Sequence, residues 1–228
     1  MIVHLVTNRH RLLDSPAHTD VVAIAACLCR QTAFAAEAGV DVVQVRERDL
    51  EARDLMHIVA ALVARTRGTR TRVLVNDRLD VALAAQADGV HLRADSLPVA
   101  AVRRLSPPNF LVGRSVHDVR EAEAAFDADY LVAGTVWPSV SKPPGHAALG
   151  LAGFAAIARV ATIPVLGIGG VTVARARDIA AAGGAGIAAV GLFIGERGGE
   201  GVDGCRATQL AGPIEAMRRW FDTPGSHS

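Results

Sequence analysis

The sequence predicts an α/β fold, a single (β/α)8 TIM barrel, and three observations predict it. Short β-branched runs alternate with longer Ala-rich segments of helical period, such units number eight, and no Pro/Gly/Ser-rich linker divides the 228 residues. A doubly wound open sheet would show fewer units and a glycine-rich turn after its first strand. The first turn here reads Thr7-Asn8-Arg9-His10.

The strands are expected at residues 2–7, 41–46, 72–76, 89–92, 110–115, 130–133, 164–168 and 186–190. A helix fills each gap: 19–38, 50–66, 79–86, 98–105, 118–126, 151–160, 172–182 and 206–221. Residues 1–222 form the barrel domain, and 223–228 a flexible C-terminal tail. The glycine cluster at 195–204, between the last strand and the last helix, reads as a mobile loop.

Composition narrows the partners. Half of the residues are apolar, and 24 basic side chains stand against 23 acidic ones, with the arginines spread along the chain. That balance offers no footprint for a phosphate backbone, so nucleic acid is not expected. Apolar runs such as 21–29 fall short of the roughly 18–20 residues that span a bilayer, and Met1 opens directly into a strand. The expectation is a cytoplasmic protein without a membrane anchor, and a homodimer is compatible with it. Cys27, Cys29 and Cys205 lack a second pair or histidines at ligand spacing and read as reduced core thiols.

In such barrels the reactive groups sit at the C-terminal strand ends and in the loops that follow. That rule selects Gln44, Arg46 and Arg48 after strand two, Asn76 and Asp77 after strand three, and His91 at the end of strand four. It also selects His117 after strand five, Ser139, Ser141 and Lys142 after strand six, Gly169 and Gly170 after strand seven, and Val190 and Gly191 after strand eight. Loops seven and eight of these barrels commonly hold a phosphate on backbone N–H groups. Gly169-Gly170 leads into Thr172, an N-cap residue, and Gly191 follows the last strand, so both loops allow close backbone approach to an anion. Arg46 and Arg48 alternate along an extended segment and can clamp a second anionic group, or pair with Glu47 and Asp49. His117 is the acid/base candidate, since imidazole both takes and gives a proton near neutral pH. His91, between Val90 and Leu92, reads as an inward-facing, satisfied histidine.

These residues resemble the superfamily of thiamine phosphate synthase and its relative, the thiazole tautomerase of thiamine biosynthesis. The carriers are Val43-Gln-Val-Arg46-Glu-Arg48, Val75-Asn76-Asp77-Arg78, Gly89-Val-His91-Leu, Gly113-Arg-Ser115-Val-His117, Ser139-Val-Ser-Lys142, Leu149-Gly-Leu, Pro164-Val-Leu-Gly-Ile-Gly-Gly170 and the stretch 186–191. A synthase needs Mg²⁺ for its pyrimidine pyrophosphate, and the resemblance implies one metal aspartate at Asp77 and a second where this chain has Ser96, with Asp95 one residue out of register. The synthase pattern Gln-x-Arg-x-Lys becomes Gln44-x-Arg46-x-Arg48, and its serine after the last strand becomes Gly191. The segment 113–117 is similar to the tautomerase, whose corresponding histidine carries the proton transfer.

The resemblance therefore implies a tautomerase acting on a small-molecule thiazole phosphate, without metal or organic cofactor. His117 would be catalytic; Gln44, Arg46, Arg48, Asn76, Ser139, Ser141, Lys142, Gly169, Gly170, Val190 and Gly191 would bind substrate. Two alternatives stay open: a Mg²⁺-dependent synthase, and a non-catalytic regulator that binds thiamine precursors. The segment 139–142 stays close to the synthase's Thr-x-Thr-Lys.

Overall fold

A computed structural model describes residues 1–14, 17–139, 147–195, 205–208 and 211–222. Eight parallel strands close into a barrel in sequence order: β1 (Ile2–Val6), β2 (Val42–Val45), β3 (Arg72–Asn76), β4 (Gly89–Leu92), β5 (Leu111–Val116), β6 (Tyr130–Gly134), β7 (Val165–Ile168) and β8 (Gly186–Ala189). The ring is completed where β8 pairs with β1, Gly186 beside Ile2 and Ala188 beside His4. The helices are α1 (Arg9–Leu12), α2 (Val21–Glu37), α3 (Ala52–Thr66), α4 (Leu79–Ala84), α5 (Val99–Leu105), α6 (Val119–Ala124), α7 (Gly150–Val160), α8 (Val173–Ala181) and α9 (Ala211–Asp222), with 3-10 turns at Ala17–Thr19 and Gly191–Phe193. No helix among the described residues is long and apolar enough to cross a membrane.

Strand alternation divides the apolar residues into two cores. Val3, Leu5, Val43, Val45, Val73, Val75, Val90 and Val112 point outward and meet the helices. Val42, Leu74, Tyr130, Val132, Leu166 and Ala188 point inward and fill the barrel. The outer core takes one stripe of each helix; in α2 the buried positions are Ile24, Cys27, Leu28, Gln31, Thr32 and Ala35, at the spacing of a single helical face. At the N-terminal end of the barrel a repeated device fixes the strands. Asp41, Asp88 and Asp129, each just before an even-numbered strand, accept the backbone N–H of Val3, Val73 and Val112 on the preceding strand at 2.8, 2.8 and 2.6 Å. These carboxylates belong to the structural face and leave the opposite rim for chemistry.

Two expectations change. Residues 206–208, assigned to the last helix, instead belong to an extended segment: Cys205 bridges Leu13 and Ala207 bridges Ile194, both antiparallel, and α9 begins only at Ala211. That path lays Cys205 over α2, where it forms a disulfide with Cys27 across a Cα–Cα distance of 5.6 Å, so only Cys29 remains a thiol. Both residues read as core positions in the sequence, but nothing local signals that the chain returns to α2 178 residues later. The loop read as mobile lies, from residue 196 to 204, outside the described residues, as does the tail 223–228.

The bridge yields a direct prediction. Thiol titration of the denatured, unreduced protein is expected to find one thiol, and three after reduction. Cys205→Ser should lower stability by about 2–4 kcal/mol. Three thiols without reductant would show that the pair is not bonded.

Candidate active site

The C-terminal rim is built from the loop after β1 upward. Thr7, Arg9 and Glu47 form its buried floor: Glu47 accepts from Thr7 Oγ1 at 2.6 Å, from the Arg9 backbone N–H at 3.2 Å and from the Arg9 guanidinium at 3.3 Å. Burial pushes the Glu47 carboxyl up, and those donors hold it back. The same guanidinium grips Asp49 with two bonds of 2.6 and 2.7 Å, which keeps that carboxyl well below the usual range.

Arg9 thereby occupies both acids that Arg46 and Arg48 were candidates to pair with. Arg46 keeps its own orientation through its N–H, which donates to Thr7 Oγ1 at 3.0 Å. Its guanidinium is pressed below its ordinary pKa by burial and by the like charges of Arg48 and Arg93. Among the described residues neither Arg46 nor Arg48 forms a carboxylate ion pair, and a guanidinium cluster of this kind suits an anion. The two arginines do not share one extended segment, however: β2 ends at Val45, and Arg48 sits in a turn.

Inside the barrel, Gln44 and Asn76 pair, Nε2 to Oδ1, at 2.9 Å. Beside them lies a neutral aromatic and imidazole cluster. His91 bonds Tyr130 Oη at 3.1 Å through Nδ1 and Ser115 Oγ at 2.9 Å through Nε2. Burial, then His4 and Arg114, push its pKa well below the ordinary value. His4 stands edge-on to both rings, fully buried, with neither ring nitrogen in hydrogen-bond geometry to a partner. Burial drives it down to about 3 against a smaller opposing pull from Gln44.

His117 follows β5 at the inward parity set by Gly113 and Ser115. It is half exposed, and Glu121 at the next helical turn takes both its backbone N–H, at 2.7 Å, and its Nδ1, at 3.0 Å. With Nδ1 donating, Nε2 keeps a lone pair for a substrate proton.

The Asp77 carboxylate, after β3, accepts from Ser96 Oγ and has the Arg93 guanidinium 3.6 Å away. Arg93 in turn pairs with Asp95. This donor set does not fit a magnesium ion: one carboxylate, already held by a hydroxyl, stands beside a cation where two acids should converge.

Gly169 and Gly170 close the loop after β7 with φ of +96° and +64°. A Cβ at Gly169 would lie 2.1 Å from Thr135 Cγ2, and one at Gly170 2.8 Å from Trp137 Cβ, so both positions demand glycine. Thr172 caps α8 through the Arg175 N–H at 3.2 Å, and Arg175 clasps the Gly170 carbonyl at 2.7 Å while lying over Trp137. Val190 and Gly191 open the 3-10 turn after β8. The Gly191 backbone does not itself require glycine. A Cβ there would stand 3.3 Å from the Arg11 guanidinium, and that arginine is a rim cation the sequence reading passed over. Ser139 lies half-buried in the segment after β6, while Ser141 and Lys142 fall outside the described residues. Arg9, Arg11 and Arg93 all follow strand ends, so the rule that selected the other rim residues also reaches them.

Glycine loops after β7 and β8, guanidinium groups after β2 and an imidazole after β5 thus share one rim of the barrel. Comparison with known proteins specifies the class. The thiamine monophosphate synthase family model matches residues 17–193, and the chain belongs to that family, whose enzymes act on small precursors in thiamine biosynthesis. The thiamine-phosphate synthase of Roseiflexus sp. strain RS-1 is 39% identical over 196 residues, 85% of this chain and 78% of that one. That of Methanoculleus marisnigri is 40% identical over 181 residues, 78% of this chain and 81% of that one. The structure of thiamine phosphate pyrophosphorylase from Pyrococcus furiosus superimposes with a TM-score of 0.72 at 29% identity, over 96% of this chain and 95% of the other.

The buried histidines predict acid sensitivity. An unfolded histidine titrates near 6.5, so between that pH and about 3 the unfolded chain binds a proton that folded His4 refuses. Stability is full above 6.5 and falls as the pH drops. At pH 5 His4 alone should cost about 2 kcal/mol, and the urea midpoint of His4→Leu should fall less between pH 7 and 5 than that of the parent. Equal falls would show that His4 is not held neutral.

Proposed function

We propose that this member of the family is the thiazole tautomerase, which aromatises a carboxylated dihydrothiazole bearing an ethylidene phosphate. The observation that carries the reading is the state of Asp77, engaged by Ser96 and flanked by Arg93, at the point where the synthase chemistry calls for two carboxylates on a metal. A tautomerisation needs no metal. His117 Nε2 removes the proton from the ring carbon that holds the carboxylate, the C–H electron pair enters the ring, the exocyclic double bond shifts, and the same imidazole returns the proton to the exocyclic carbon. Composition is unchanged, so no oxidant or reductant enters. Glu121 on Nδ1 orients the ring and supports the imidazolium formed midway.

Arg46 and Arg48 hold the ring carboxylate and stabilise the charge that develops beside it. Gly169, Gly170, Val190 and Gly191 present backbone to the phosphate. Gln44, Asn76 and Ser139 complete the polar lining, with Ser141 and Lys142 assigned there by the family pattern alone. The buried, neutral His4 and His91 keep the barrel floor free of competing charge.

A second reading has its own support: relatives 39% and 40% identical carry the name thiamine-phosphate synthase. Under it the chain would join hydroxymethylpyrimidine pyrophosphate to thiazole phosphate in a Mg²⁺-dependent step. A silent regulator would bind the precursors and turn over neither.

Two assays separate these readings. The tautomerase should aromatise its substrate in the presence of a chelator, after subtraction of the uncatalysed rate, and should form no thiamine phosphate from the two synthase substrates with Mg²⁺. Metal-dependent thiamine phosphate formation would establish the second reading. His117→Ala should lower kcat by about 10²–10⁴ with product affinity little changed, whereas Arg46→Ala should mainly raise KM. A near-parental kcat in His117→Ala would move the base elsewhere, with His91 next to test.

A further inference from the structure

Between the loop after β1, the turn after β8 and the extended segment 205–208 lies a cavity of about 280 Å³, lined by Arg11, Ile194, Gly195 and Arg206. It is cationic, and its charge is poorly answered. Arg206 is largely buried, its Nε lacks a hydrogen-bond partner, and among the described residues the one acid paired with it, the exposed Asp14, stands 3.5 Å from Nη2. A buried donor left unmatched, next to a second guanidinium, is a site waiting for oxyanion acceptors.

The geometry links this cavity to the glycine loop. A Cβ on Gly191 would stand 3.3 Å from Arg11 Nη2 and 3.6 Å from Nη1, so the guanidinium lies beside the glycine backbone and meets an anion that approaches it. Arg206 is brought to the same place by two backbone contacts, its N–H to the Leu12 carbonyl at 2.9 Å and its carbonyl to the Gly195 N–H at 2.8 Å. The Cys27–Cys205 bridge pins the adjoining residue.

We propose that Arg11 and Arg206 form the side-chain half of the phosphate subsite, bridging a phosphate monoester dianion above Gly191. The identity of that monoester as the thiazole substrate rests on the proposed function; the anion site itself does not. The loops after β7 and β8 offer neutral N–H groups, and the two arginines supply the charge that matches a dianion.

Calorimetry of the full chain with inorganic phosphate at low salt tests the site. Arg206→Gln and Arg11→Gln should each weaken phosphate binding at least tenfold and Arg206→Lys by less, while Arg104→Gln, an exposed position far along the chain, should match the parent. Circular dichroism and thermal melting establish that each variant is folded, and the Arg11 variant serves if Arg206→Gln is not. Phosphate affinity equal to the parent in a folded Arg11→Gln or Arg206→Gln overturns the proposal. Inorganic phosphate should also compete with the thiazole substrate, and non-competitive inhibition would overturn the assignment to the substrate's phosphate. Arginine-dependent phosphate binding in a protein that turns over neither candidate substrate would leave this site standing and remove the proposed function instead.

Discussion

The pairing of β8 with β1 is the constraint on which the rest depends. An open eight-stranded parallel sheet would leave two edges of unmatched N–H and C=O groups. Closure removes both, sets Gly186 against Ile2, where no Cβ could fit, and forces every strand to end on one rim. Residues distant in sequence then become neighbours: Arg11 meets Gly191, and Thr7 meets Glu47. The two ends of the barrel divide their labour by charge. Acids at 41, 88 and 129 stitch strands at the bottom, while at the top Glu47, Asp49 and Asp77 are engaged by Arg9, Ser96 and Arg93.

That consumption of acids decides what the mouth can do. Glu47 and Asp49 would neutralise Arg46 and Arg48 if Arg9 did not hold them first, and Asp77 would hold a metal if a second carboxylate joined it. The resulting rim carries a guanidinium cluster near β2, glycine loops near β7 and β8 and an imidazole near β5, the groups to which the proposed function gives the carboxylate, the phosphate and the proton. The interior beneath is polar yet uncharged: Gln44 answers Asn76, and His91 answers Tyr130 and Ser115.

Much of this was legible in the sequence because it is carried by period and position. The eight strands came from β-branched runs whose edges moved by at most one residue in the structure, as β2 did in ending at Val45 rather than Arg46. The glycines at 169 and 170 announced a tight, backbone-lined loop, and positive φ with a crowded Thr135 gives the reason. What escaped was set by long-range geometry. Arg11 and Arg206 are separated by most of the chain and look like ordinary surface arginines until closure sets them on one cavity. The Cys27–Cys205 bridge escaped for the same cause, since an extended 205–208 segment has no local signature against the helical period that follows it. The role of Arg9 was hidden because only the folded chain shows which acid each arginine reaches.

A crystal structure with the carboxylated thiazole phosphate product bound tests the central claim most directly. The account predicts the carboxylate on Arg46 and Arg48, the phosphate over Gly169, Gly170 and Gly191 within reach of Arg11, and His117 Nε2 against the ring. A product bound with its phosphate at Asp77 through a metal ion, or with His117 turned away from the ring, would contradict it.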